Sequence, residues 1–224
     1  MPHFDIVKCS PVSNSYRTEK IKADFDVTPQ SAGEHFVGEI NLPDDWNIGV
    51  IVGGSGTGKS TIAKEIFGDQ YISDFRYSAA SVVDDMPDVG MEKIERAFYA
   101  VGFGSVPCWL KPYSVLSNGE KMRVDLARAM LERDFFVFDE FTSVVDRQVA
   151  QTASLAIAKA VRKAGKKFVA VACHFDILPW LQPDWVLNTD TMESFFGTAH
   201  DRKKNLPCEN AGTESGQNLS VITI

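Results

Sequence analysis

Gly53-Gly54-Ser55-Gly56-Thr57-Gly58-Lys59-Ser60, preceded by the apolar run Ile48-Gly49-Val50-Ile51-Val52 and followed by Thr61-Ile62-Ala63-Lys64-Glu65-Ile66-Phe67, decides the fold. It matches GxxxxGK[ST], the phosphate-binding P-loop. In that reading a buried strand ends, glycines let the backbone curl with its N–H groups inward, and the next helix turns its positive dipole end toward an anion. Gly53, Gly54, Ser55, Gly56, Thr57, Gly58, Lys59, Ser60 and Thr61 are then the candidate phosphate contacts. Lys59 is expected to reach the terminal phosphates, and the Ser60 hydroxyl to sit on Mg²⁺. Gly68 is placed to stop the helix, since glycine readily takes a positive φ.

The chain around this motif has 224 residues, 44% of them hydrophobic and 24% charged, which suits one globular domain with a substantial core. No apolar run approaches the roughly 18 residues of a membrane-spanning helix. Met1-Pro2-His3-Phe4-Asp5 lacks the basic flank and apolar core of a secretory leader, so a soluble, cytoplasmic protein is expected. Cys9, Cys108, Cys173 and Cys208 are spread along the chain without a Cys-x-x-Cys pair, signalling neither a zinc site nor a disulfide framework. A net charge of −7 argues against a large basic surface for gripping nucleic acid.

Upstream of the loop, residues 4 to 42 alternate in the manner of strands: Phe4, Ile6 and Val7, then Ile21, Ala23, Phe25 and Val27, then Phe36, Val37, Ile40 and Leu42. An N-terminal antiparallel β subdomain is predicted. Downstream, Ser81-Val82-Val83 reads as a short strand ended by Asp84-Asp85-Met86-Pro87, and Met91 to Val101 has helical spacing. Ser117-Asn118-Gly119-Glu120 is a capping box opening a helix. Phe135-Phe136-Val137-Phe138 reads as a buried strand ending in Asp139-Glu140, Gln148 to Lys163 as a helix stopped by Gly165, and Phe168 to Cys173 as a strand ending at His174. Strands alternating with helices imply a mostly parallel, covered α/β sheet. Carboxylates at the end of a buried strand need a reason, and a metal supplies one. From Gly197 the composition turns polar, so 197–224 reads as a weakly ordered tail behind a domain spanning 1–196.

The order of these motifs resembles the ATP-binding cassette (ABC) class of P-loop NTPases. Its specific mark is Leu116-Ser117-Asn118-Gly119-Glu120, which is similar to the family's LSGGQ signature with Asn third and Glu fifth. The resemblance assigns Phe136 to Glu140 as the Walker B strand, Asp139 as the Mg²⁺-supporting acid and Glu140 as the base or water-orienting group. Ser143-Val144-Val145-Asp146 falls in place of the D-loop and His174 in place of the switch histidine, though a histidine after a strand also has a purely structural reading. Ser117 and Gly119 would meet the ATP of a second subunit. Phe25 is a candidate for stacking on adenine, with a plain core role as its alternative.

Two departures stand out. Where the family places a glutamine before its helical insert, this chain has Asp84, so either Asp84 takes over at the metal or the coupling is changed. The insert, about residues 85–134, is short for docking on a membrane subunit. Segments 45–61, 109–123, 138–147 and 174–186 look like a group of soluble phage and prokaryotic ABC ATPases, some fused to an acetyltransferase-like domain. The resemblance implies an ATPase that binds ATP and Mg²⁺ and works as an ATP-sandwiched homodimer in nucleic-acid or phage-type metabolism. It implies no membrane partner, while a nucleic-acid or protein partner stays open. A phosphotransferase acting on a nucleotide or modified nucleic acid, and the ATP-binding subunit of a transporter, are the alternatives.

Overall fold

The computed structural model describes residues 3–9, 15–26, 33–40, 42–72 and 74–196. In chain order, β1 (His3–Cys9), α1 (Tyr16–Phe25) and β2 (Gly33–Glu39) precede the P-loop strand β3 (Ile48–Val52), α2 (Lys59–Phe67) and β4 (Tyr71–Ile72). Three helices follow, α3 (Met91–Ala100), α4 (Val106–Trp109) and α5 (Asn118–Glu132), and then β5 (Phe135–Phe138), α6 (Arg147–Ala164) and β6 (Lys167–Ala172). The described residues close with α7 (Ile177–Leu181), β7 (Trp185–Asn188) and β8 (Glu193–Phe196).

The main sheet has six strands in the order β4-β5-β6-β3-β7-β8, parallel throughout except that β8 runs antiparallel to β7. Every residue of β3 is buried, which its near-continuous apolar sequence requires of a strand covered on both faces. Close approach explains Gly49 within it: a Cβ there would lie 2.1 Å from the Trp185 ring on β7. One apolar cluster joins the sheet to α3, α5 and α6, and the other joins it to α2, β1 and β2. The Asp184 carboxylate fixes the start of β3 by accepting from the Asn47 and Ile48 N–H groups, each at 2.9 Å.

The helices begin and end where side chains and glycine allow. Ser117 and Glu120 form the full capping box of α5. Asp146 caps α6 by accepting from Val149 N–H at 2.9 Å, and Gly165 ends it at φ 64°.

Two expectations are corrected. Ile21, Ala23 and Phe25 lie in helix α1, not in a strand, and Val27 lies outside the described residues. The helix opens on Ser15, whose hydroxyl accepts from Thr18 N–H at 3.3 Å, and it buries none of its residues, so no helical stripe marks it in the sequence. Among the described residues the antiparallel N-terminal sheet is therefore β1 paired with β2. Ser81-Val82-Val83 is likewise a turn. Val82 is buried and donates its N–H to the Lys111 carbonyl at 2.9 Å, packing beneath the helices instead of extending the sheet. The stretch 197–224 lies outside the described residues.

Candidate active site

The loop after β3 sits at the carboxyl end of the parallel sheet, between β6 and β7. It is held from the β7–β8 turn. Gly54 N–H donates to Asp190 Oδ1 at 2.8 Å, the Thr57 hydroxyl donates to the Gly54 carbonyl at 2.9 Å and meets the Thr189 hydroxyl at 2.6 Å, and Thr189 N–H donates to the Val52 carbonyl at 2.8 Å. Gly58 caps α2 at φ 84° with no side-chain hydrogen bond, so the first N–H groups of α2 are left for an anion. Gly56, at φ 85°, would carry a Cβ into open space. The Lys59 ammonium is buried, with only 8% of the residue exposed. It donates to the Gly54 carbonyl at 2.5 Å and has no ion-pair partner among the described residues.

At the end of β5 the two acids diverge. Asp139 Oδ2 accepts from the Tyr71 hydroxyl, and its Oδ1 accepts from Glu140 N–H at 2.9 Å. Tyr71 opens the neighbouring edge strand β4, and its phenol also lies close to Ser60. Burial, followed by the Asp139 hydrogen bond and charge, pushes that phenol well above the usual tyrosine range. Glu140 takes φ 51° and Thr142 φ 67°, left-handed conformations that cost a non-glycine residue on the order of 1 kcal/mol or more each. Phe141 N–H holds the bend by donating to the Val171 carbonyl at 2.9 Å.

Glu140 lines two cavities. One, of about 270 Å³, lies over the P-loop and includes Lys59, Ser60 and Cys173. The other, of about 340 Å³, includes Asp139, Asp74, Asp125 and Tyr113. In the second, both oxygens of Asp125 accept from tyrosine hydroxyls, Tyr77 at 2.7 Å and Tyr113 at 2.8 Å. Burial nonetheless raises the Asp125 carboxyl above its ordinary range. Ser60 and Asp139 offer hard oxygen donors suited to Mg²⁺. Among the described residues no cluster of three His, Cys, Asp or Glu side chains could hold a metal.

Several sequence-predicted residues stand elsewhere. Asp84 lies in the Ser81 turn, accepts from the Ser81 hydroxyl at 2.5 Å and lines neither cavity. The strand beside β5 is β4, and the acid that follows it into the cavity with Asp139 and Glu140 is Asp74. His174 is exposed beyond the end of β6, lines neither cavity and makes no hydrogen bond or ion pair among the described residues. Phe25 is 70% exposed at the end of α1 and lines neither cavity.

Ser117 is exposed at the start of α5. Its N–H and hydroxyl both donate to Glu120 Oε2 at 2.8 Å, and the N–H chiefly holds the Glu120 carboxyl below its usual range. Gly119 lets α5 approach α6, since a Cβ would meet Val149 at 3.0 Å. Neither residue lines the P-loop cavity of its own chain. Tyr71, Asp74, Asp190, Lys8 and Glu34 escaped the sequence reading. The acid two residues beyond Tyr71-Ile72 was the one available signal.

No protein-family model and no curated protein matches the chain. Solved structures do. The dimeric ATP-binding cassette MJ0796, in a post-hydrolysis state bound to ADP and Pi, superposes with TM-score 0.55 and 14% identity over 69% of this chain and 87% of that one. CbiO1 from Clostridium perfringens, part of the ABC transporter complex CbiONQ, gives 0.53 and 19% over 70% and 76%. A bacterial Atm1-family ABC exporter with ATP bound gives 0.54 and 18% over 78% of this chain and 37% of that one. The fold is that of an ABC-type P-loop NTPase. Within this cassette fold the helices α3, α4 and α5 stand between β4 and β5, and the signature-like residues open the last of the three.

Proposed function

We propose that this chain is a soluble ABC-class ATPase that hydrolyses ATP to ADP and phosphate with Mg²⁺. Lys59 carries the reading. A buried ammonium whose one partner among the described residues is a carbonyl is costly unless an anion joins it, and the glycine-lined loop and the start of α2 surround it with N–H donors. Ser60 and Asp139, the latter held by the Tyr71 hydroxyl, would hold Mg²⁺, whose charge offsets that of the phosphoryl group in transit. Glu140, at the rim of the same cavity, orients the attacking water and takes its proton. A role for His174 beside the terminal phosphate would need the residue to turn in from its exposed position.

The signature residues Ser117 and Gly119, which lie outside the P-loop cavity of their own chain, complete the site of a second subunit in a head-to-tail homodimer. The dimeric MJ0796 cassette with ADP and Pi supports this arrangement. The resemblance to soluble phage and prokaryotic ATPases supports a role in nucleic-acid or phage-type metabolism. None of the described helices is long and apolar enough to cross a membrane. Phosphate release measured with and without single-stranded and duplex DNA tests both parts: ATP-dependent release is expected, faster with nucleic acid, and its absence in both conditions overturns the reading.

Transfer to a bound acceptor is favoured by one observation, the cavity of about 340 Å³ on the second side of Glu140. If that reading holds, ATP consumption exceeds phosphate released once the acceptor is added.

A further inference from the structure

The inward face of the β1–β2 sheet is apolar at one end and charged at the other. Side chains alternate across a strand, and residues directly opposite share a face. In this register Phe4 opposes Gly38, Ile6 opposes Phe36 and Lys8 opposes Glu34. Phe4 and Phe36 are buried among α2 residues such as Ile62 and Ala63, and the Phe36 ring lies 2.6 Å from where a Gly58 Cβ would stand. Continuing the same face, Lys8 and Glu34 overhang the P-loop and line its cavity with Ser55, Gly56 and Thr61. They make no hydrogen bond or ion pair, with each other or with any other described residue. On the opposite face, which is solvated, the Asp5 carboxylate meets the His35 ring at 2.6 Å. Two opposed charges left unpaired on the inward face, above an anion cradle, are placed for a ligand.

We infer that Lys8 and Glu34 form the nucleoside end of the site. Lys8 meets the phosphate nearest the nucleoside, and Glu34 accepts a hydrogen bond from a ribose hydroxyl or a base amine of a nucleoside triphosphate. This rests on the P-loop as a triphosphate site, and it gives the recognition predicted for Phe25 to a charged pair on the strands. Recognition is then by hydrogen bonds instead of ring stacking. Glu34 also repels bare phosphate, so the two residues have opposite signatures with inorganic triphosphate.

Calorimetric titration of the full chain with ATP and with inorganic triphosphate separates them. Lys8→Ala is expected to weaken both ligands on the order of tenfold, the scale of a lost hydrogen bond to a charged group. Glu34→Ala is expected to weaken ATP similarly while leaving inorganic triphosphate unchanged or tighter, with partial recovery in Glu34→Gln. Phe25→Ala is expected to bind ATP as the parent does. Insensitivity of 2′,3′-dideoxy-ATP to Glu34→Ala puts the contact on the ribose, and full sensitivity puts it on the base. Parent affinity for both ligands in Lys8→Ala, or equal weakening of both in Glu34→Ala, overturns the inference. Parent-like triphosphate binding by Lys59→Ala overturns the P-loop reading instead. Both strand residues are exposed, and thermal melting of the variants checks that the fold is kept.

Discussion

At Lys59 one side chain carries the full positive charge buried in the loop, and the backbone cradle survives without it. Lys59→Ala is expected to abolish tight binding of a fluorescent ATP analogue in a protein that still melts cooperatively. Glu140→Gln keeps shape and removes the base. Binding is expected to persist while turnover slows on the order of 10²-fold or more in single-turnover hydrolysis. Asp125, in the second cavity beside Glu140, makes a pH prediction for stability. Its folded carboxyl holds a proton above the ordinary aspartate value of 3.8, where the unfolded chain has already released it. Stability from this group therefore falls as pH rises from that value to the folded one and is level beyond it. Urea unfolding of Asp125→Asn from acid to neutral pH is expected to lack that slope. Residues such as Lys59, Ser60, Asp139 and Glu140 were legible because their chemistry is written in adjacent positions. Tyr71, Asp190, Lys8 and Glu34 were not, because the sheet brings them to the loop from distant parts of the chain.

Among the elements, those with caps and a buried stripe were read to within a residue or two. Helix α5 begins on its capping box and α6 ends on Gly165. Helix α1 has a cap but no buried face, so its apolar residues were mistaken for strand alternation. Ser81-Val82-Val83 was mistaken for a strand because a short apolar run fits either a sheet or a turn packed under helices. The β1–β2 pair docks on the P-loop through Phe36 against Gly58, at a positive φ. Gly58→Ala is expected to strain the loop and displace that ring together. Amide exchange should then rise in β1, β2 and the start of α2 at once, while β5 and β6 stay protected. At the start of α5, Ser117→Ala is expected to cost about 1 kcal/mol in denaturant unfolding as a lost cap.

Over the whole molecule, the P-loop cavity and the signature residues are separate surfaces of one chain, so a composite site needs two chains. Lys59→Ala and Ser117→Arg are each expected to be inactive alone. Mixed, they can form a dimer in which one intact loop faces one intact signature, and hydrolysis is expected to recover partly. A Ser117→Arg protein with parent turnover at dilutions that leave only monomer would remove the sandwich. The strand order has a further consequence for synthesis. Ile48 pairs with Phe168, and Gly49 with Trp185, so the P-loop strand emerges from the ribosome long before either neighbour exists. At ~5–20 residues per second that wait is on the order of ten seconds, during which a wholly apolar strand has no sheet to join. Nascent chains stalled before β6 are expected to be captured by chaperones and to ignore ATP, and those extended past Asp190 to release the chaperone and retain nucleotide.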